Sequence, residues 1–135
     1  PLTKGEVPFM EFNLLENILD TADTCVVKKE NSATLRFGHE SCLLPLACLL
    51  ELGDCAYQTT DLSTLDETWR NYRIFPMASN IQFVFFRKKG NDDILVKVLL
   101  NEHEMKLPVE SELAPYYHWK DVEIYYRNKL ATYKK

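Results

Sequence analysis

The residues with the clearest potential for chemistry are Gly38, His39 and Glu40, which follow one another directly. An imidazole can donate a hydrogen bond to a phosphoryl oxygen, and a carboxyl group can protonate a leaving alcohol when its pKa lies near the working pH. Glycine lets the backbone turn and approach a ligand closely. These residue types therefore fit phosphate-ester chemistry, with His39 as the phosphate contact and Glu40 as the general acid.

The same residues also have structural interpretations. A His-Glu dipeptide occurs by chance in many sequences. Glu40 could stabilise the start of a helix by facing the positive end of its dipole. His39 could be a core histidine with its hydrogen bonds satisfied. The dipeptide alone leaves the catalytic and the structural interpretations open.

The elements on either side favour a ligand-binding position. Residues 33–37 alternate apolar and polar side chains, which predicts a short strand that ends at Gly38. A helix is predicted from about residue 41 to 52, starting within the four residues before Pro45, with Gly53 as its C-terminal cap. Ligands bind beyond the carboxyl ends of strands, and helix N-termini favour phosphate. This helix is apolar on nearly all of its faces, so it should lie in the core.

The remaining pattern predicts an α/β fold, in which a mixed sheet is flanked by helices. An amphipathic helix opens the chain at residues 9–22, and a helix closes it at residues 119–133. Between them lies a long polar loop at residues 54–71, and then an antiparallel meander. Its predicted strands are residues 80–87, central because both faces are apolar, residues 94–100, and a short third strand at 105–107.

Composition limits the classes of function. The 135 residues, 46% apolar and 27% charged, suffice for one domain, residues 1–135, with a packed core. The net charge of −4 argues against a nucleic-acid partner, which would require a basic face. No stretch approaches the roughly 18 apolar residues of a membrane span.

Metal and redox motifs are not recognisable. The four cysteines, Cys25, Cys42, Cys48 and Cys55, form no Cys-x-x-Cys pair, and their even number permits but does not require disulfides. Cys42 and Cys48 lie in an apolar run and are predicted to be buried thiols. His103 and His118 match no metal-ligand spacing and are predicted to be surface residues. We therefore expect neither a metal nor a cofactor.

Three blocks in the sequence resemble a known family. Residues 35–40 (Leu-Arg-Phe-Gly-His-Glu) with residues 43–46 (Leu-Leu-Pro-Leu) resemble the proton-donor segment of histidine acid phosphatases, in particular of multiple inositol polyphosphate phosphatases. Residues 76–80 with 83–84, and residues 99–102 with 107–109, are similar to the same subfamily. Together the blocks extend over about residues 9–126.

The resemblance implies a mechanism and a location. In this family a histidine in an Arg-His-Gly-x-Arg-x-Pro motif attacks phosphorus and forms a phosphohistidine. By position, Glu40 would protonate the leaving oxygen and His39 would contact the phosphate, without a metal. The implied substrate is a phosphorylated small molecule such as phytate. Such enzymes are usually secreted, periplasmic or lumenal.

Two features depart from the family pattern. Many inositol-polyphosphate members have His-Ala-Glu, whereas this chain has His39, Glu40 and Ser41, closer to the His-Asp of other acid phosphatases. None of the five arginines precedes a histidine, so the nucleophile motif is missing. We therefore expect a C-terminal portion of a catalytic domain, with its donor segment at residues 33–53 and the N-terminal half as its missing partner. The isolated chain should be inactive.

Two alternatives remain open at this stage. The chain could be a non-catalytic binding or interaction module, or a degenerate family member that keeps the fold without the chemistry. The missing nucleophile favours the binding module, and the ordered family-like blocks oppose it.

Overall fold

The computed structural model describes residues 6–29, 31–57, 59 and 61–133. Within these ranges, a 3₁₀ turn at Val7–Glu11 leads into the first of five helices: α1 (Phe12–Lys28), α2 (Glu40–Leu49), α3 (Leu65–Thr68), α4 (Asn71–Ile74) and α5 (Trp119–Tyr133). The strands are β1 (Ile81–Arg87), β2 (Ile94–Leu100), β3 (His103–Glu104) and β4 (Tyr117–His118). The predicted α/β class is confirmed, with an open sheet whose four strands are all antiparallel.

Strand β2 is the centre of the sheet. β1 pairs with one side of β2 along its whole length, while β3 and β4 pair with different parts of the other side. Every second residue of β2 is buried, because successive side chains of a strand point to opposite faces. This alternation directs Ile94, Val96, Val98 and Leu100 into the core.

The prediction that β1 is a central strand is wrong for the described part of the chain. β1 pairs with β2 alone and forms an edge of the sheet. Phe85 and Phe86 are consequently 36% and 38% exposed, although ring contacts with Trp119 and Tyr116 cover part of each. Apolar residues on both faces indicate burial, but they do not determine how many strands lie alongside.

The core is formed where the three longer helices meet the sheet. α1 and α5 have the predicted amphipathic patterns, and α1 extends six residues beyond its predicted end at Ala22. α2 also contributes to the core, as its apolar character predicts. The buried residues of these helices are Leu15, Leu19, Ala22, Leu46, Ala47, Leu49, Trp119, Val122, Tyr126 and Leu130.

Helix α2 ends differently from the prediction. Glu51, with φ of 53°, takes the left-handed position that follows the helix. The N–H of Leu52 donates to the carbonyl of Ala47, and that of Glu51 to Cys48, which is the bonding pattern of a Schellman motif. Gly53 is therefore not the cap. Its own φ of 51° instead lets its N–H donate to Lys106, and Met105 lies so close that a Cβ would be only 2.9 Å from it.

Two other boundaries also differ. α2 begins at Glu40, so Pro45 lies in its second turn. The predicted strand at residues 105–107 is not formed: β3 comprises His103–Glu104, Met105 adds one hydrogen bond to Val98, and the chain then turns away toward Gly53. Part of the predicted polar loop, residues 58 and 60, lies outside the described residues.

The predicted strand at residues 33–37 is also wrong. Residues 31–39 have no regular secondary structure, and every one of the nine is exposed. Among the described residues, no backbone hydrogen bond joins residues 31–38 to another segment. An alternating pattern makes a strand only where a neighbouring strand accepts its backbone groups.

None of the described helices is both long and apolar enough to cross a membrane.

A charged cluster fastens α1 to α5. The guanidinium of Arg127 donates to Asp20 and Asp23 on α1 at 2.9 and 2.7 Å, and to Glu123 at 2.8 Å. The indole of Trp119 donates to Asp23 at 3.0 Å. Burial alone would raise the pKa of Asp23. Its hydrogen bonds with Glu123, Arg127 and Trp119 nevertheless hold this pKa below its usual value. Burial raises the pKa of Glu123.

The carboxyl groups of Asp23 and Glu123 should respond oppositely to substitution. Asp23→Asn should lower the free energy of unfolding by about 1 to 2 kcal/mol at pH 7. Because the pKa of Asp23 is lowered on folding, its contribution is present above the unfolded pKa of about 3.9 and is lost as the pH falls through the folded pKa. Urea unfolding at pH 7 and at a pH below the unfolded pKa of Asp23 measures the difference.

For Glu123 the sign is reversed, because its raised pKa means that the fold favours the protonated carboxyl. Glu123→Gln should equal or exceed the wild-type stability at pH 7, and the difference should vanish as the pH falls through the folded pKa of Glu123. Equal destabilisation by both substitutions at both pH values would contradict the opposite pKa shifts of these two carboxyl groups.

Candidate functional site

The predicted site residues lie at the N-terminus of α2. His39 is the N-cap residue, with extended backbone angles of φ −113° and ψ 166°. Its carbonyl accepts hydrogen bonds from the N–H groups of Cys42 and Leu43 at 3.0 and 3.1 Å. Glu40 is the first helical residue. The backbone therefore turns sharply between the two side chains and places them at the open end of the helix.

Both side chains are exposed, as are all residues from 31 to 41. The imidazole of His39 makes no capping hydrogen bond to the helix. Phe37 is 94% exposed and Leu35 77%, although both are apolar. A Cβ placed on Gly38 would meet no atom within 4 Å, so close packing in the described structure does not explain the glycine.

The helix end provides hydrogen-bond donors beside these side chains. The N–H groups of Glu40 and Ser41 come first in the helix, and no backbone hydrogen bond joins them to residues 31–38. Such N–H groups, with the positive end of the helix dipole, favour a bound anion. The arrangement offers an imidazole, a carboxyl group and backbone donors to one exposed ligand position.

A residue without an assigned role in the sequence holds this segment in place. The guanidinium of Arg36 donates to the side-chain oxygens of Asn17 and Thr21 on α1, at 2.8 and 2.9 Å. Asn17 and Thr21 are four residues apart and so lie on one helix face. Ser32 adds a weaker contact of 3.5 Å to the sulfur of Cys25. The only sequence signal for this tether was a polar pair on the face of α1 opposite its apolar stripe.

The other candidate histidines lie elsewhere. His103 is exposed on β3, as predicted. His118, on β4, is half-buried, and its Nδ1 lies 2.9 Å from a carboxylate oxygen of Asp93. Within the described ranges, no group of three or more His, Cys, Asp or Glu side chains could hold a metal ion.

The structure is that of an α/β domain with an exposed His-Glu pair at a helix N-terminus. Residues 11–101, more than half of the chain, match the family model of the histidine phosphatase superfamily (branch 2). The chain therefore belongs to the histidine phosphatase superfamily, which supports phosphatase chemistry in general. No curated protein matches the sequence significantly.

The tether of Arg36 can be tested without any enzymatic assay. Arg36→Ala should release residues 33–39 from α1, because both side-chain hydrogen bonds are lost. Backbone ¹⁵N order parameters of these residues should fall from about 0.85, typical of rigid backbone, toward values below about 0.6. NMR relaxation of the 135-residue chain measures them.

Arg73→Ala, which removes another exposed arginine from the short helix α4, is the matched control and should leave residues 33–39 unchanged. If Arg36→Ala also leaves the order parameters unchanged, the segment is held by something other than this tether.

Proposed function

We propose that this chain supplies the leaving-group acid of a phosphomonoesterase that acts on phytate or related inositol polyphosphates. Glu40 is the proton donor and His39 the phosphate contact. The nucleophilic histidine comes from outside the 135 residues, in the N-terminal half of the same protein. The observation that carries the proposal is the joint exposure of His39 and Glu40 at the N-terminus of a helix whose other end is buried.

The exposure supports this assignment because a proton donor must reach the oxygen that leaves. A carboxyl group sealed in a core could not approach a bulky, highly charged substrate. The helix N-terminus adds donors for one phosphate of such a substrate. The family-like blocks at residues 35–46, 76–84 and 99–109 support the inositol-polyphosphate type.

The proposed mechanism is the one that the family resemblance implies. The upstream histidine attacks phosphorus, and the bond to the leaving oxygen breaks while Glu40 donates its proton to that oxygen. Water then attacks the phosphohistidine, with the same carboxylate as base, and releases inorganic phosphate. His39 stabilises the negative charge on the transferring phosphoryl group. The proposed location, carried over from the resemblance, is secreted, periplasmic or lumenal.

The role of Glu40 predicts a dependence on the leaving group. In the longer protein from the same reading frame, Glu40→Gln should slow phosphate release from phytate by about 10² to 10⁴-fold, because the alcohol then leaves without a proton. An aryl phosphate, whose phenolate leaves readily, should be affected far less. Phosphate release at mildly acid pH measures both.

Glu67→Gln is the control, since Glu67 is another exposed acid in the first turn of a helix. It should change neither rate. The 135-residue chain by itself should release no phosphate from either substrate. Equal loss on phytate and on the aryl phosphate would contradict a proton-donor role for Glu40.

One observation favours a second candidate function, a family member that binds phosphate esters without hydrolysing them. The acid follows His39 directly, and Ser41 occupies the position that carries the acid in a His-Ala-Glu arrangement. In that case, the longer protein would bind inositol polyphosphates but release no phosphate.

A double substitution separates the two candidates. Glu40→Ala with Ser41→Glu restores His-Ala-Glu at the start of α2. If Glu40 is the donor, this variant should lose most of the phytase activity, because its carboxyl group has moved to another side of the helix. If the chain is a degenerate member, an inactive longer protein should gain activity with this variant. The comparison of initial rates on phytate distinguishes the two outcomes.

A further inference from the structure

Two cysteines meet at the C-terminal end of α2. The Sγ of Cys48, in the last turn of the helix, lies 3.1 Å from the carbonyl oxygen of Cys55. Cys55 is buried and Cys48 is half-buried, so Cys48 is less enclosed than its apolar neighbours predict. The Schellman turn at Glu51 folds the chain back and brings the two residues together.

The thiol of Cys48 is not essential as a hydrogen-bond donor here. The carbonyl of Cys55 also accepts a hydrogen bond from the indole N–H of Trp69 at 3.2 Å. Loss of the S–H proton would therefore leave no buried carbonyl without a partner. A disulfide at Cys48 would therefore remove no hydrogen bond that the carbonyl of Cys55 requires.

All four cysteines are free thiols in this structure, which leaves Cys48 and Cys55 available for oxidation. We propose that Cys48 and Cys55 form a disulfide when the protein meets an oxidising environment. The contact of 3.1 Å already holds the sulfur of Cys48 against the backbone of Cys55. The resulting loop contains the end of α2, Glu51 and Gly53.

The oxidant is a small-molecule disulfide such as oxidised glutathione. The thiolate of one cysteine attacks a sulfur of glutathione disulfide and releases one glutathione thiolate. The second cysteine thiolate then attacks the mixed disulfide and releases the other glutathione. Two protein thiols lose two protons and two electrons, and one glutathione disulfide becomes two thiols.

The surroundings make this exchange slow at neutral pH and the product durable. Burial raises the pKa of the Cys55 thiol to about 11, and burial also raises the pKa of Cys48. Because the thiolate is the attacking species, little of either residue reacts near pH 7, and the rate should increase with pH. The same burial protects the finished disulfide from reductants.

The consequence for the protein is a fixed C-terminal end of α2. Glu51, inside the closed loop, pairs with Lys129 and accepts a hydrogen bond from Tyr125, both on α5. A disulfide would lock this turn against α5. The helix that carries His39 and Glu40 at its other end would then be held more rigidly.

The experiment uses the 135-residue chain incubated with oxidised glutathione at pH 8.5, followed by alkylation of the remaining thiols. Cleavage after glutamate separates residues 41–51 from residues 52–67, so Cys48 and Cys55 lie on different peptides. We expect these two peptides to stay joined under non-reducing conditions, with Cys42 alkylated. Oxidation should also raise the melting temperature by several degrees.

Cys25→Ser and Cys42→Ser are matched controls, and both should retain the joined peptides and the thermal shift. Cys48→Ser and Cys55→Ser should abolish both. The proposal is overturned if Cys55 is alkylated in the oxidised wild-type chain, or if the peptides are joined through Cys42 instead. Peptide mapping of the wild-type chain gives this answer even where a serine variant folds poorly.

Discussion

The arrangement of this chain depends on one interaction: side chains of α5 donate hydrogen bonds to the last carbonyls of α2. The hydroxyl of Tyr126 donates to the carbonyl of Leu50 at 2.7 Å, and the ammonium of Lys129 donates to Leu49 at 2.6 Å. The final carbonyls of a helix have no partner within it, and burial without partners would be costly. Tyr126 is fully buried, so its hydroxyl also needs this acceptor.

This contact determines where the site can be. With the C-terminal end of α2 fixed in the core against α5, its N-terminal end must emerge at the surface, about 15 Å away for ten residues. His39 and Glu40 are therefore exposed because of interactions at the opposite end of the helix. Among the described residues, Arg36 and Ser32 of the preceding segment make side-chain contacts to α1. The helix of the site is thus fixed in the core at its far end, whereas the segment before the site is held by these side-chain contacts.

The elements that could be predicted are those whose residues carry their own periodicity. α5 was predicted with the correct bounds, and β2 too, because their apolar spacings match one helix face or one strand face. The prediction of a strand at residues 33–37 was wrong because a strand requires a neighbouring strand, and the pattern within one segment does not show whether a neighbour is present. The prediction of the C-terminal cap of α2 was wrong for a related reason. Glu51, and not Gly53, is the left-handed residue that ends the helix, and its contacts with Lys129 and Tyr125 on α5 stabilise a conformation that local preference would not favour.

The sequence indicates the position of the candidate site more directly than it indicates the chemistry of that site. The family match over residues 11–101 includes α1 to α4, β1 and β2 as well as the His-Glu pair, so it does not separate the evidence for the fold from the evidence for the site. The proposed chemistry depends on which of two neighbouring residues of α2 carries the carboxyl group. Moving a carboxyl group by one helical residue rotates it by about 100° around the axis and advances it about 1.5 Å. An acid at position 40 and an acid at position 41 therefore face different regions beside the same phosphate. In the proposed reaction, the transfer of the proton to the leaving oxygen therefore depends on which of these two positions carries the carboxyl group.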